Sequence, residues 1–341
     1  MKILVINNML EQKHFDLIKQ AVKDIFPGQS KDRQEQAAPQ GLEAPHPQAE
    51  LFFYSNEAEI PQSNFDADII YGFAPSIVKT NKNLKWLCVP WAGVDSLMAP
   101  DYFANIDCLL TNSAGAYGVS IAEHMIAVSL MMMRRLDQFT AETREGKWLF
   151  PRPQKSLKDC RITVLGTGDI GTTFAIRARA FEPSALIGIC RSGKSKAQIY
   201  DKVLPVRELD SILPQTDLLA MSLPSTPETA GLLSRDRQSL LPEGTYIVNV
   251  GRGSAIDEEA LADNLESGHL AGAALDVFQT EPLPAGNRLW TTKNLIITPH
   301  VAGNMTLAYT KDKNVQMFIE DLKNFAQGKP LHYLVDRKLG Y

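Results

Sequence analysis

The sequence contains few cysteines, and no two of them are spaced for metal chelation or for redox exchange. Cys88, Cys108, Cys160 and Cys190 lie far apart without any C-x-x-C pair, and three of them stand in or beside apolar runs. Disulfide-stapled secreted domains and zinc clusters need closely spaced ligands, which neither these cysteines nor the six histidines provide. We therefore expect buried, reduced thiols, a cytoplasmic location and no metal site.

Long apolar runs and an excess of positive charge are also missing. No segment approaches the roughly 18 consecutive apolar residues of a membrane span. The N-terminal MKILVINNML has one lysine and too short an apolar stretch for a signal peptide. The formal net charge is −4, whereas nucleic-acid-binding proteins usually carry a basic excess on one face. We expect neither a membrane nor a nucleic acid as a partner.

The remaining composition is that of an ordinary globular protein. The chain has 341 residues, of which 44% are hydrophobic and 22% are charged. This length accommodates two domains of about 150 residues, each with its own core. Residues 27–50 are rich in proline, glutamine and charge with almost no apolar residues, which predicts a solvated surface insertion.

Two series of short apolar segments alternate with helical patterns, as is typical of α/β domains with parallel sheets. The first series occupies residues 2–7, 51–55, 68–73 and 84–90, with a helix predicted over 12–25. The second occupies residues 161–166, 185–190, 217–223, 245–250, 271–278 and 294–299. The nearly continuous apolar character of the second series predicts strands that are buried on both faces.

Three helices outside the first series are marked by their periodicity or their ends. A long amphipathic helix is predicted from Val119 to Trp148, because apolar residues recur every three or four positions and proline is absent. Asp257 is the predicted N-cap of a helix that ends before Gly268. A last helix, from about Met305 to Ala326, is expected to return to the first domain.

A glycine motif stands where the second series begins. Gly166-Thr167-Gly168-Asp169-Ile170-Gly171 follows a predicted strand and opens a predicted helix. In this context the first glycine permits a tight turn, the second admits a pyrophosphate and the third lets the helix pack on the strand. The helix N-terminus then faces the anionic phosphates. These six residues predict a dinucleotide site.

The residues after the next strand of this series indicate which dinucleotide. An NAD site usually has an acidic residue there to hold the ribose 2′-hydroxyl. This strand is instead followed by Arg191, Ser192 and Lys194. A guanidinium matches the oxygens of a 2′-phosphate with a fork of N–H groups. We predict NADP(H) as the preferred cofactor, and a solvated basic loop in an NAD(H)-using protein remains the alternative.

Three later segments lie at predicted carboxyl ends of strands, the edge where open parallel sheets bind ligands. They are NVGRG (249–253), LDVFQTEPLP (275–284) and TPHVAG (298–303). Reduction of a 2-keto acid needs a cation for the carboxylate, an acid that protonates the carbonyl oxygen, and a group that keeps that acid charged. Arg252, His300 and Glu281 have the required chemistry in that order. Each also has an ordinary structural explanation, and their shared position at strand ends is what favours the functional one.

These motifs, in order and spacing, resemble the D-isomer-specific 2-hydroxyacid dehydrogenase family over essentially the whole chain. The resemblance implies Arg252 as the substrate-binding arginine, His300 as the acid and base, and Glu281 as its partner. It also implies further cofactor contacts from Leu223, Pro224, Val250, Gly251, Asp276 and Gly303. For Asp276, an acid that caps the turn after a strand is the structural alternative. His124, at the start of the long helix, is expected to be structural.

The resemblance extends to the first domain at Val89-Pro90-Trp91-Ala92-Gly93-Val94-Asp95. Backbone N–H groups around Ala92 and Gly93 would bind the substrate carboxylate. Trp91 would limit the size of the substrate, and Phe73 is a weaker candidate for the same wall. The chain departs from the usual family pattern at Arg191 and in the insertion at 27–50.

The sequence therefore predicts an α/β protein with two Rossmann-like or flavodoxin-like domains, parallel sheets and a catalytic cleft between them. Residues 1–112 with 301–341 would form a discontinuous substrate-binding domain, and 113–300 the dinucleotide-binding domain. The implied activity is NAD(P)H-dependent reduction of a 2-keto acid to a D-2-hydroxy acid. The alternatives are a dinucleotide-sensing protein like the corepressors that share this fold, or a phosphoglycerate- or formate-type dehydrogenase. The apolar surface of the helix from Val119 favours a homodimer.

Overall fold

The computed structural model describes residues 1–27, 49–148, 150 and 152–340. It divides into two compact units, one formed by Met1–Ala116 with Met305–Tyr341 and the other by Tyr117–Asn304. Each unit contains one sheet, and every strand pair in both sheets is parallel. The prediction of two α/β domains with parallel sheets is confirmed. Most of the predicted insertion, residues 28–48, lies outside the described residues.

The first unit begins with a five-stranded sheet in the order β2-β1-β3-β4-β5. Its strands are β1 (Lys2–Ile6), β2 (Glu50–Tyr54), β3 (Ile69–Gly72), β4 (Trp86–Cys88) and β5 (Leu109–Thr111). Two helices accompany them, α1 (Gln12–Ile25) and α2 (Pro75–Thr80). The side chain of His14 accepts from the backbone N–H of Glu11 at 3.0 Å and so closes the first turn of α1.

The second unit opens with two helices where the sequence predicts one. They are α3 (Gly118–Met133) and α4 (Leu136–Arg144). The prediction of a continuous helix from Val119 to Trp148 is wrong, because Arg135 adopts the left-handed conformation with φ 54° and interrupts it. Its guanidinium donates to the carbonyl of Pro153 at 2.8 Å and to Gln138 at 3.2 Å. These contacts stabilise a break in the helix that the spacing of apolar residues does not reveal.

The sheet of the second unit has seven strands in the order β12-β11-β10-β9-β6-β7-β8. They are β6 (Arg161–Leu165), β7 (Ala185–Cys190), β8 (Lys202–Pro205), β9 (Leu218–Met221), β10 (Thr245–Asn249), β11 (Leu270–Leu275) and β12 (Leu295–Ile297). The helices between them are α5 (Asp169–Arg179), α6 (Leu209–Ile212), α7 (Arg235–Ser239) and α8 (Glu258–Glu266). As predicted, Asp257 caps α8, accepting from the N–H of Ala260 at 2.9 Å.

The last helix, α9 (Ala308–Ala326), belongs to the first unit. Phe318 on this helix is fully buried and stacks on Tyr71 of β3, with 4.4 Å between ring centroids. It also stacks on Trp86 of β4 at 5.4 Å. The chain therefore completes the first core with residues that follow the whole second unit.

Within the described ranges, no helix is long and apolar enough to cross a bilayer. All four cysteines are free thiols, and Cys88, Cys108 and Cys160 are buried. No group of three or more histidine, cysteine or acidic side chains in the described part of the chain is arranged to hold a metal ion.

Replacement of Phe318 by alanine tests the role of α9 in the first core. We expect Phe318→Ala to destabilise the first unit by about 3–5 kcal/mol, because a buried ring is lost and a cavity remains. The measurement is guanidinium unfolding followed by tryptophan fluorescence, since Trp86 lies beside the deleted ring. Gln316→Ala, on an exposed position of the same helix, is the control and should change stability by less than about 0.5 kcal/mol. Coinciding midpoints for the two variants would contradict the packing described.

Candidate active site

The carboxyl ends of six strands in the second sheet lie in one row. Backbone pairing joins Ile189 to Leu165, Leu165 to Met221, Met221 to Asn249, Asn249 to Leu275, and Leu275 to Ile297. Each of these residues is the last of its strand or one position before the last. The segments that follow the strands therefore meet along one edge of the sheet. The strand order reverses beside β6, which makes this edge a topological switch point of the kind that binds ligands.

The glycine motif forms the turn between β6 and α5. Gly166 has φ 98°, a conformation that favours glycine. A Cβ at Gly171 would lie 1.8 Å from the carbonyl oxygen of Gly166, so only glycine lets the helix start this close to the strand. A Cβ at Gly168 would meet nothing within 4 Å, which leaves open space at the N-cap of α5. This arrangement fits a pyrophosphate at the helix N-terminus.

The segment after β7 is exposed and carries the basic residues predicted from the sequence. Arg191, Ser192 and Lys194 are all exposed. The Ser192 hydroxyl donates to the carbonyl of Lys194 at 3.2 Å, which holds the turn. Burial opposes ionisation of the neighbouring Cys190, but hydrogen bonds from Thr167, Ser192 and the local backbone outweigh it and lower the pKa of the thiol. Donors and positive charge therefore surround the end of this strand.

Arg252 lies in a turn that Asn249 holds from within the core. The Asn249 side chain is fully buried, accepts from the N–H of Gly251 at 3.1 Å and donates to the carbonyl of Arg252 at 3.0 Å. The half-buried Arg252 side chain donates to the carbonyl of Gly251 at 2.9 Å. The backbone around the guanidinium is thus held before any ligand binds.

Two glycines let the Arg252 turn pack closely against the loops that follow β9 and β11. A Cβ at Gly251 would lie 2.5 Å from the backbone nitrogen of Leu223, in the loop after β9. A Cβ at Gly253 would lie 1.9 Å from the carbonyl carbon of Phe278, in the loop after β11. The structure thereby brings together the predicted cofactor residues Leu223 and Gly251, and packs the Arg252 turn against the loop that carries Glu281.

His300 and Glu281 are in direct contact. The Nδ1 atom of His300 lies 2.7 Å from Oε2 of Glu281. The other oxygen of Glu281 accepts from the backbone N–H of Phe278 at 2.9 Å, which holds the carboxylate in place. Both side chains are partly exposed, so a ligand can reach the imidazole. Because Glu281 occupies Nδ1, the Nε2 atom is the ring nitrogen left for a reacting group.

Asp276 holds the turn that carries His300. Its carboxylate accepts from the Thr298 hydroxyl at 2.6 Å and from the backbone N–H groups of Val301 and Ala302, both at 2.9 Å. Its side chain is almost fully buried. All three donors belong to the protein, so the geometry favours the structural alternative of a turn-capping acid. A contact from Asp276 to a nicotinamide carboxamide stays a prediction.

Two further residues belong to this arrangement and were not assigned to the site from the sequence. Thr298 supplies the hydroxyl to Asp276, and His124 on α3 lies 3.3 Å from that hydroxyl through Nε2. Burial lowers the pKa of His124, and the nearby Asp276 carboxylate opposes this effect. The contact joins positions 174 residues apart, so no local pattern could reveal it.

The remaining predicted cofactor residues lie on the same edge. Val250 follows β10 and donates through its N–H to the carbonyl of Met221 at 3.0 Å. Pro224 follows Leu223, and its carbonyl accepts from the Thr229 hydroxyl at 2.6 Å. A Cβ at Gly303 would lie 2.8 Å from the side chain of Ile121, which packs the end of the His300 turn against α3.

The predicted substrate residues of the first unit follow β3 and β4. Phe73 and Trp91 touch edge to face, with 5.6 Å between ring centroids. The Asn112 side chain donates to the carbonyl of Ala92 at 2.7 Å, and the Ser113 N–H donates to the carbonyl of Trp91 at 2.9 Å. The segment with Trp91, Ala92 and Gly93 is therefore held by the residues after β5. Its role in binding a substrate stays a prediction.

Sequence comparisons relate the chain to known dehydrogenases. Residues 126–302 match the family model of the NAD-binding domain of D-isomer specific 2-hydroxyacid dehydrogenases. D-3-phosphoglycerate dehydrogenase of Archaeoglobus fulgidus is 32% identical over 263 residues, and the match spans 76% of this chain but only 49% of that protein. Glyoxylate/hydroxypyruvate reductase A of Salmonella paratyphi C is 30% identical over 286 residues, 82% of this chain and 89% of that protein.

Solved structures of the same group share the fold. A D-isomer specific 2-hydroxyacid dehydrogenase family protein of Aeromonas salmonicida is 29% identical, with a TM-score of 0.81 over 98% of this chain and 99% of its own. The D-isomer specific 2-hydroxyacid dehydrogenase of Xanthobacter autotrophicus Py2 was solved in complex with NADPH and MES. It is 26% identical, with a TM-score of 0.76 over 100% of this chain and 99% of its own.

These findings confirm the resemblance predicted from the motifs. The family model covers more than half of the chain, and the Salmonella relative matches across most of both proteins. The chain belongs to the D-isomer-specific 2-hydroxyacid dehydrogenase family, whose members are NAD(P)-dependent oxidoreductases.

Proposed function

We propose that the protein reduces a small 2-keto acid, such as glyoxylate or hydroxypyruvate, to the D-2-hydroxy acid with NADPH. The observation that carries this proposal is the 2.7 Å contact between His300 and Glu281, on the same sheet edge as the glycine turn and Arg252. The name of the Salmonella relative, a glyoxylate/hydroxypyruvate reductase, supports the choice of acid. The D configuration of the product follows from the family.

The residues present fit a dinucleotide. The turn from Gly166 to Gly171 offers open space at a helix N-terminus, and Arg191 stands exposed where an NAD site would have an acidic residue. The NADPH bound to the Xanthobacter relative supports the preference for NADP(H), and NAD(H) remains possible. When bound, the reduced nicotinamide supplies the hydride.

The side chains on the sheet edge supply the rest of the reaction. We propose that Arg252 binds the substrate carboxylate and polarises the carbonyl with its fixed charge. His300, protonated, donates its Nε2 proton to the carbonyl oxygen as the hydride reaches the carbonyl carbon. Glu281 keeps Nδ1 protonated and stabilises the imidazolium until the proton leaves. In the reverse direction, the neutral imidazole removes the hydroxyl proton.

The first unit carries candidate substrate residues of its own. We propose that backbone N–H groups around Ala92 and Gly93 bind the carboxylate and that the touching rings of Phe73 and Trp91 limit the length of the substrate side chain. Phe73 is 49% exposed, so its ring is available for contact. Under this proposal the first unit is a substrate-binding domain, and the second unit binds the dinucleotide and supplies Arg252, Glu281 and His300.

We also propose that the protein acts in the cytoplasm as a homodimer. Four free thiols support a reducing compartment. Large apolar side chains stand exposed in and after α4, namely Leu136 at 51%, Trp148 at 97% and Phe150 at 90%. Side chains of this kind mark interaction surfaces, and isologous dimers are the commonest homo-oligomers.

Cofactor choice is tested by oxidation of NADPH and NADH with a panel of 2-keto acids from glyoxylate to branched and aromatic ones. We expect turnover with the small acids and a lower KM for NADPH than for NADH. Arg191→Glu should raise the KM for NADPH by about 10-fold to 100-fold, because a charge-assisted contact to the 2′-phosphate is replaced by repulsion.

Lys202→Glu is the matched control for Arg191→Glu. It makes the same change of charge at an exposed position on the opposite end of the neighbouring strand. Its KM for NADPH should stay within about twofold of the parent value, since exposed charges at a distance are screened by salt. A parent enzyme that prefers NADH would defeat the proposed role of Arg191.

The role of His300 is tested by His300→Gln. We expect kcat to fall by about 100-fold to 10,000-fold, the usual contribution of a positioned acid, with NADPH binding unchanged in a fluorescence titration. His332→Gln, an exposed histidine of the first unit, is the control and should keep full turnover. Undiminished turnover by His300→Gln would remove this residue from the mechanism.

The homodimer is tested by light scattering. We expect the particle mass to be twice that of one chain, and Trp148→Ser with Phe150→Ser to shift it toward the monomer, because exposed apolar surface is removed. Far-ultraviolet circular dichroism checks that the double variant is folded. A parent protein with the mass of a single chain would exclude the dimer.

A further inference from the structure

A chain of polar contacts links His124, Thr298 and Asp276 to the backbone next to His300. His124 Nε2 lies 3.3 Å from the Thr298 hydroxyl oxygen, and that hydroxyl donates to Oδ1 of Asp276 at 2.6 Å. Asp276 also accepts the N–H groups of Val301 and Ala302, the two residues that follow His300. The backbone N–H of His300 itself donates to the Asp276 carbonyl at 2.9 Å.

The direction of these hydrogen bonds follows from the number of protons available. The Thr298 hydroxyl has one proton, which the short contact to a carboxylate claims. Its oxygen can therefore only accept from His124, so the proton of the His124 ring must sit on Nε2. Burial lowers the pKa of His124 despite the nearby carboxylate, which favours the neutral ring.

The turn that receives this support is conformationally unfavourable. His300 has φ 52°, in the left-handed region, which costs free energy for a residue with a side chain and persists only where surrounding contacts impose it. The contacts that impose it here are the bonds made by Asp276. Thr298 in turn donates to Oδ1 of this carboxylate, and His124 contacts the Thr298 hydroxyl.

We infer that His124 and Thr298 are positioning residues of the reaction, which orient the Asp276 carboxylate and through it the turn that aims the His300 imidazole. The inference rests on the proposed reduction. If the His300 imidazole is displaced, the site still binds the substrate almost as tightly. The imidazole then protonates the carbonyl oxygen less effectively in the transition state. Loss of the contact should therefore lower kcat and leave KM nearly unchanged.

Thr298→Val and Thr298→Ser separate the hydroxyl from the shape of the side chain. Valine keeps the volume and removes the hydroxyl, so we expect kcat to fall by about 10-fold to 100-fold, while the KM for the keto acid and the Kd for NADPH stay within about twofold. Serine keeps the hydroxyl and should retain kcat within about threefold. An unchanged kcat in Thr298→Val, or a serine variant as slow as the valine one, would overturn the inference.

A double-mutant cycle tests whether His124 acts through Thr298. We expect His124→Leu to lower kcat by about threefold to tenfold and to have no further effect in the Thr298→Val background, because both changes break one chain of contacts. His124→Gln retains a donor and should stay near the parent kcat, which keeps the test decisive if the leucine variant does not fold. Effects that multiply would show that His124 does not act through Thr298.

Nitrogen-15 NMR of histidine-labelled protein provides a readout that needs no turnover. We expect His124 to be the neutral Nε2–H tautomer at pH 7 and its ring signals to change in Thr298→Val, while those of His332 stay unchanged. His124→Gln assigns the signals. A proton on Nδ1 of His124 would overturn the inference even in an active enzyme. A parent protein inactive on every keto acid would instead refute the proposed function, and the ring signals would still decide whether the contact exists.

Discussion

The candidate site depends on one constraint, the parallel pairing that ends six neighbouring strands in a single row. Because Leu165, Met221, Asn249 and Leu275 occupy paired positions, the residue after each of them enters the same edge of the sheet. The glycine turn, the Arg252 turn and the Asp276 loop are thereby neighbours although the chain separates them widely. A shift of one residue in any of these pairs would turn the next side chain to the opposite face of the sheet.

The loops that follow these strands pack closely against one another, and this packing fixes the positions of their backbones. The positions of Gly251 and Gly253 leave no space for a side chain, because the adjoining loops press against them. Asn249 and Asp276, both buried, satisfy the backbone groups that such tight turns leave unpaired. The two side chains proposed to act on the substrate, Arg252 and His300, therefore lie on turns held by buried side chains. Asn249 holds the first turn and Asp276 the second.

The sequence predicts most of the fold because apolar runs and glycine turns are local signals. Six of the seven strands of the second sheet overlap the predicted segments, and Asp257 caps its helix as expected. Two strands were missed for physical reasons. β5 has only three residues, the last of which is the polar Thr111, and β8 is an edge strand that begins with lysine and ends with proline. The break at Arg135 depends on a contact with Pro153, which periodicity does not report.

In the candidate site too, the sequence predicts residues marked by local signals but not contacts between distant residues. Arg252, Glu281 and His300 could be named because they stand at strand ends in a recognisable order, and the structure brings the last two into contact. For Asp276 the sequence predicts a ligand contact with a turn-capping acid as the alternative; its carboxylate bonds to the turn that follows β12, and the ligand contact stays a prediction. The partners Thr298 and His124 come from distant parts of the chain, so only the folded protein shows that they meet.

The return of α9 to the first unit has a consequence for synthesis on the ribosome. Tyr71 and Trp86 emerge early, yet the ring that covers them, Phe318, is made only after the entire second unit. The nascent first sheet must therefore keep an uncovered aromatic surface while about 230 further residues are added after Trp86, about 12 to 46 s at ordinary elongation rates. During that interval the second unit, which is continuous in the chain, is completed, while the first unit still lacks α9.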